Sequence, residues 1–296
     1  MKVTKPTAIT SAMLVSSTAT EAYSAWNSAT AYALDARVIR TTTNRIYQCI
    51  QGPSTNNTPE TSPLYWTDIG PTNQWAMFDS EISTQTAAAS TLTVVIKPGL
   101  CNSLALFGLE GTTLTVTVRD ALAGAIVYSF TKSLDGTILA DWYQYFFEPY
   151  VQLSEVVLTD LPPYGDAHIT ITITSGSTAK CGILVAGTVY YLGQSLSSPN
   201  AGIIDYSRKD TSALGVTTFV RRSFSKRLST SMYLSNQQLN KVRSILSDLR
   251  ATPCVWIATE RPGYEMLTLY GFYRDFSIAV EYADGSLCNL EIEGLT

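Results

Sequence analysis

The run His168-Ile169-Thr170-Ile171-Thr172-Ile173-Thr174 alternates isoleucine with threonine, residue by residue. Successive side chains of an extended strand point to opposite faces, so this run has one apolar face and one hydroxyl face. Both residue types are β-branched and stiff, which favours a strand over a helix. The same period recurs in Leu114-Thr115-Val116-Thr117-Val118. Apolar or aromatic runs at Ser103–Phe107, Ala125–Phe130, Trp142–Phe147 and Val156–Leu158 read as further strands. Turn signals divide them: Pro98-Gly99, Asp120 to Gly124, Asp135-Gly136, Pro162 to Asp166 and Ser175-Gly176. Short strands with no helix between them predict an antiparallel β-sandwich over residues 72–190.

A chain of 296 residues can hold two or three cores, so other regions are expected beside the sandwich. The charged fraction is only 15%, and Ser, Thr, Asn and 17 Tyr stand in its place. That mix suits strands with hydrogen-bonding surfaces. A net charge of −4 gives no basic footprint for nucleic acid. No apolar run reaches the ~18 residues of a membrane-spanning helix. Residues 1–21, rich in Thr, Ser and Ala, are expected to form an arm rather than a signal peptide. Cysteines 49, 101, 181, 254 and 288 are scattered, and His168 is the only histidine. No zinc spacing arises, so no metal or cofactor is expected, and free thiols suit a reducing compartment.

Residues 191–296 change character. Strand-like Ile203–Ser207 and Thr217–Phe224 precede a helix pattern: Leu239, Val242, Leu246 and Leu249 share one face, and Pro253 stops the run. Ser235 with Gln238 has the form of a capping box. Strands are expected at Cys254–Ala258, Thr268–Phe272, Phe276–Val280 and Leu287–Ile292. The region reads as α+β, one helix packed on a sheet. Two basic pairs, Arg221-Arg222 and Lys226-Arg227, read either as a solvated strand edge or as assembly residues that meet an acidic neighbour subunit.

Residues 22–71 carry Ala25-Trp26, Tyr32, Asp35, Val38, Tyr47, Pro59 and Trp66, separated by short polar turns. This spacing resembles the type-3 chitin-binding (family 5/12) carbohydrate-binding modules, which implies a small three-stranded fold and a glycan ligand. Aromatic rings stack on the C–H faces of sugars while amides bond the hydroxyls. The candidates are therefore Tyr32, Tyr47, Asn56, Asn57, Tyr65 and Trp66. A module this small must also use two of Trp26, Tyr32, Tyr47 and Trp66 as core, Trp26 first among them. Where many chitin binders carry a double-tryptophan patch, this chain has Cys49-Ile50-Gln51-Gly52 and an Asn/Thr loop, which points away from chitin itself.

A second resemblance rests on element order and on Arg221, Trp256, Asp275, Phe276 and Glu291. The basic strand, the helix, Pro253-Cys254-Val255-Trp256-Ile257, Gly271 to Phe276 and Leu290 to Leu295 follow one another as in minor-tail and distal-tail proteins of long-tailed phages. Such proteins form closed rings about the tail axis. The resemblance implies a virion tail-tip or baseplate component, assembled in the host cytoplasm. Its partners would be itself, as hexamer or trimer, other tail proteins, and a host surface glycan.

Catalytic signatures are sparse. Asp141, Glu148, Asp160 and Asp166 flank aromatics, as a glycosidase pair would, but read first as turn caps and loop-solvating residues. Asp166-Ala167-His168 lacks a nucleophile elbow, and no glycine precedes a Lys-Ser or Lys-Thr phosphate loop. A non-enzymatic protein is expected. The alternatives are a dedicated receptor-binding fibre or spike protein, for which coiled-coil heptads and β-repeats are missing, and a secreted glycan-active enzyme.

Overall fold

Ile169, Ile171 and Ile173 are fully buried, and the threonines between them are only partly covered. Their strand, His168–Cys181, lies between Thr86–Ile96 and Thr113–Arg119 in a five-stranded sheet edged by Leu14–Ser17 and Ile126–Ser133. Ser175-Gly176, expected as a turn, sits inside this strand instead. The register shifts between Thr174 and Thr178, so a bulge absorbs the two small residues without ending the ladder. The computed structural model describes residues 1–137, 141–147, 149–196, 199–211, 214–261, 263–279 and 285–295.

The apolar face of this sheet packs on part of a second, ten-stranded one. Leu92, Val94, Ile96, Val116 and Ile171 share a core with Leu104, Leu106, Val156, Leu158, Leu184 and Ala186. The large sheet runs Glu155–Leu158, Ser103–Phe107, Ile183–Tyr191, Lys2–Pro6, Cys254–Ile257, Thr268–Ala279, Gly285–Gly294, Phe224–Ser235, Gln194–Ser195. Asn200–Asp205 also pairs with Phe224–Ser235. The chain is mainly β, with a curled antiparallel sheet and two helices among its described residues.

Lys2–Pro6 is a strand and not part of a free arm. It pairs with Ile183–Tyr191 on one side and with Cys254–Ile257 on the other. Val3 is fully buried, and the terminal amine donates to the Gly193 carbonyl at 2.7 Å. Backbone ladders on both sides hold this segment, so it needs few apolar side chains of its own. Through it, strands from residues 103–191 and from residues 194–294 join in one sheet.

The other half of the large sheet carries the Leu239–Asp248 helix. Val242, Leu246 and Leu249 pack with Met232, Trp256, Leu290 and Ile292 in a second core. The Ser235–Gln238 capping box does not form. Ser235 ends the Phe224–Ser235 strand, and Gln238 is the N-cap with no side-chain bond. The strands expected at Thr268–Phe272 and Phe276–Val280 are one strand, Thr268–Ala279, bulged between Tyr273 and Asp275.

The sheet's opposite face folds on itself. Ala105, Phe107, Ile183 and Val185 meet Val255, Ile257 and Tyr270, with the Phe107 and Tyr270 rings 5.5 Å apart. An ion pair from Lys226 to Glu155 links the Phe224–Ser235 and Glu155–Leu158 strands across this curl. All five residues of Ser103–Phe107 are therefore buried, being covered on both faces.

Trp142–Phe147, expected as a strand, is a short helix with no buried residue. Asp141 acts as an N-cap: its carboxylate accepts the Gln144 N–H at 2.8 Å, and its carbonyl accepts the Tyr145 N–H. The local cap decides the conformation of a segment that has no partner strand.

Candidate functional site

The small aromatic module forms the three-stranded sheet Arg37–Arg40, Arg45–Cys49, Trp66–Pro71. Val38, Tyr47, Cys49 and Trp66 are its core. Two of the sugar candidates are thus interior: Tyr47 is 8% exposed and Trp66 3%. The Trp66 Nε1–H donates to the Asn57 carbonyl at 3.0 Å, and the Tyr32 ring meets Trp66 edge-on at 5.3 Å. Tyr32 Oη accepts the Asn27 N–H, and Asn57 Nδ2 donates to Ser54 Oγ. Tyr32 and Asn57 therefore spend polar groups on holding the module together. Asn56, at a left-handed φ of 56° in the loop, is exposed, and Tyr65 is half-buried.

Trp26 is half-buried, so Tyr47 and Trp66 take the core role expected of it first. The Arg40 guanidinium covers the Trp26 ring at 4.8 Å and donates from Nε to both Glu60 carboxylate oxygens, at 2.8 and 2.9 Å. Partial burial pushes the Glu60 carboxyl upward in pKa. Its backbone contact, Arg40 and Thr42 outweigh that and hold it below the usual glutamate range.

The basic candidates divide. Lys226 is engaged with Glu155, and Arg227 pairs with Glu291 at 2.5 Å, so both act within the fold. Arg221 and Arg222 are exposed at the foot of the two-stranded hairpin Arg208–Thr211 with Thr217–Val220.

The carboxylates flagged in the sequence serve separate local purposes. Asp166 pairs with Lys97, whose ammonium lowers the Asp166 pKa. Asp141 caps a helix, Asp160 accepts the Tyr128 hydroxyl at 3.0 Å, and Glu148 lies outside the described residues. His168 is buried, with Nδ1 3.0 Å from the Asp166 carbonyl oxygen. Among the described residues, no three of His, Cys, Asp and Glu gather as a metal site would require, and no helix is long and apolar enough to cross a membrane. All five cysteines are free and buried. Burial drives the Cys254 thiol up to about 12 and the Cys101 and Cys288 thiols to about 11.

A groove of about 370 Å³ opens between the Ile126–Ser133 edge of the smaller sheet, the Glu155–Leu158 edge of the larger one, and residues 257–268. Tyr128 and Phe130 pair with Val118 and Val116, so they lie on the sheet's apolar face, beyond the core at its rim. Burial, then the Asp160 carboxylate, raises the Tyr128 phenol to about 12, so it stays a neutral donor. Glu260 accepts from Lys2 at 2.6 Å and from Thr159, which ties the N-terminal strand to the groove wall. Tyr264, 51% exposed, stands at the mouth.

No family model matches the chain, and no curated protein matches it. Sequence reasoning pointed to Asp160 but missed Tyr128, Tyr264 and Glu260. These come from separate segments that only the packing of the two sheets and the connection carrying Glu260, Tyr264 and Glu265 brings together, and none carries a local motif.

Proposed function

We propose that the chain is a structural, non-enzymatic component of a bacteriophage tail tip or baseplate. It forms a ring or adaptor with copies of itself and other tail proteins, and presents a glycan-contacting surface for host adsorption. The observation that carries this reading is a pair of projections whose large apolar side chains are exposed. On the first, Trp142 is 79% exposed, Tyr143 71%, and Phe146 and Phe147 69% each. On the second, the 208–220 hairpin, Leu214 is 92% exposed and Phe219 74%. Apolar surface concentrated in this way marks contact with another molecule. The first projection carries Asp135 and Asp141 nearby; on the second Arg208 is paired with Asp210, which leaves Lys209, Arg221 and Arg222, so the two are complementary in charge. Two unlike patches on one chain make heterologous contacts, which close into rings when the rotation allows. In this reading residues 191–296 are the tail-assembly domain, the sandwich of residues 72–190 contributes the second contact surface through its exposed helix, and the small module is a peripheral addition.

Light scattering on the full chain tests the reading. The expected mass is that of a closed oligomer, hexamer or trimer, and Phe219→Asp with Arg221→Glu is expected to reduce it to monomer. A persistent monomer with no affinity for other tail components contradicts the reading. An unaltered trimer in both proteins favours the receptor-binding fibre instead.

A further inference from the structure

We infer that the groove between the Ile126–Ser133 and Glu155–Leu158 edges is a binding site for a neutral oligosaccharide. This deepens the glycan-contacting reading and moves the contact away from the small module. The module uses its two best rings, Tyr47 and Trp66, as core, and Arg40 covers the face of Trp26. The groove keeps its rings where a ligand can reach them. Tyr264 is half-exposed at the mouth, and Tyr128 and Phe130 are half-buried along one wall. Aromatic faces paired with hydrogen-bonding groups accept the apolar and hydroxylated faces of a pyranose ring.

The charges select the ligand class. Four carboxylates line the groove, but Glu155 is neutralised by Lys226 and Glu260 by Lys2. That leaves Asp160 and Glu265 against Lys132 and Arg261, which is a balance. A cationic ligand gains no net attraction there, and neither does an anionic one. Hydroxyl donors from Tyr128 and Thr259 beside carboxylate acceptors, in a lining whose free charges balance, match a polyhydroxylated molecule. A volume of about 370 Å³ falls at the lower end of ligand sites, which span roughly 300–1,000 Å³, and suits a short oligosaccharide.

The test is saturation-transfer NMR on the full chain with maltotriose, cellotriose and triacetylchitotriose as probes. Variants are Tyr264→Ala and Asp160→Asn in the groove, and Tyr65→Ala with Asn56→Ala in the module. Tyr264 and Asp160 are exposed, so the fold survives both changes. The expected result is binding of at least one probe, weakened roughly tenfold or more by Tyr264→Ala and untouched by the module variant. Binding lost only in the module variant overturns the groove and leaves the glycan reading standing. No binding of any probe overturns both.

Discussion

Two regions of this chain depend on aromatic side chains and treat them in opposite ways. Residues 22–71 fold three strands around Tyr47 and Trp66 and cover the Trp26 face with Arg40. The Trp142–Phe147 helix buries none of its residues. What differs is backbone closure. The module's strands pair in register and enclose a small volume, whereas the helix is stabilised by its Asp141 cap and has no sheet to lie on. Aromatic density alone therefore does not identify a binding surface. It marks either a core too small to be built otherwise or a face kept for another molecule.

The largest effect that tests this contrast is Trp66→Ala. Removing a buried tryptophan costs about 3–5 kcal/mol, enough to unfold a module of this size. Proteolysis is expected to cut within residues 22–71 while the remainder keeps its melting temperature. Cooperative loss of the whole protein would break the contrast. A smaller effect follows from Glu60. Its folded pKa lies below its unfolded value of 4.5, so its stabilisation is complete above that pH and is lost as pH falls through the folded pKa. Hydrogen-exchange protection across the module, corrected for the intrinsic exchange rate at each pH, is expected to fall on acidification below 4.5, and Arg40→Ala is expected to reduce that dependence, the backbone contact and Thr42 retaining the rest. Smallest on stability is Trp142→Ser with Phe146→Ser. Both side chains are exposed, so thermal unfolding should shift by no more than about 0.5 kcal/mol while the oligomer is lost. A large destabilisation would show that this helix packs after all.

Legibility in the sequence followed the range of the interactions. The Ile/Thr alternation of residues 168–174 and the Leu239–Leu249 stripe state their buried faces locally: the isoleucines, Val242, Leu246 and Leu249 are buried there, and Leu239 packs partly buried at the edge. Lys2–Pro6 could not be read this way. Val3 is its one aliphatic residue, and its partners lie at residues 187–191 and 255–257, so its place depends on pairing that no local window contains. The Ser175-Gly176 bulge and the Trp142–Phe147 helix run against the local reading because each signal, a turn pair and an aromatic run, has two solutions that only the neighbouring structure decides. For the candidate site, residue type was informative about the module but not about which rings stay free. The groove was invisible, because Tyr128, Asp160 and Tyr264 meet through tertiary packing alone.

The most direct test is hydroxyl-radical footprinting of the wild-type protein over a range of concentrations, with oxidation of Trp142, Tyr143 and Phe146 read against that of Trp66. The account expects Trp66 to be unreactive throughout. The three helix residues should react freely in dilute protein and become protected as the oligomer forms. Helix residues that oxidise equally at every concentration, in protein shown to be assembled, would contradict the claim that this projection is an assembly surface.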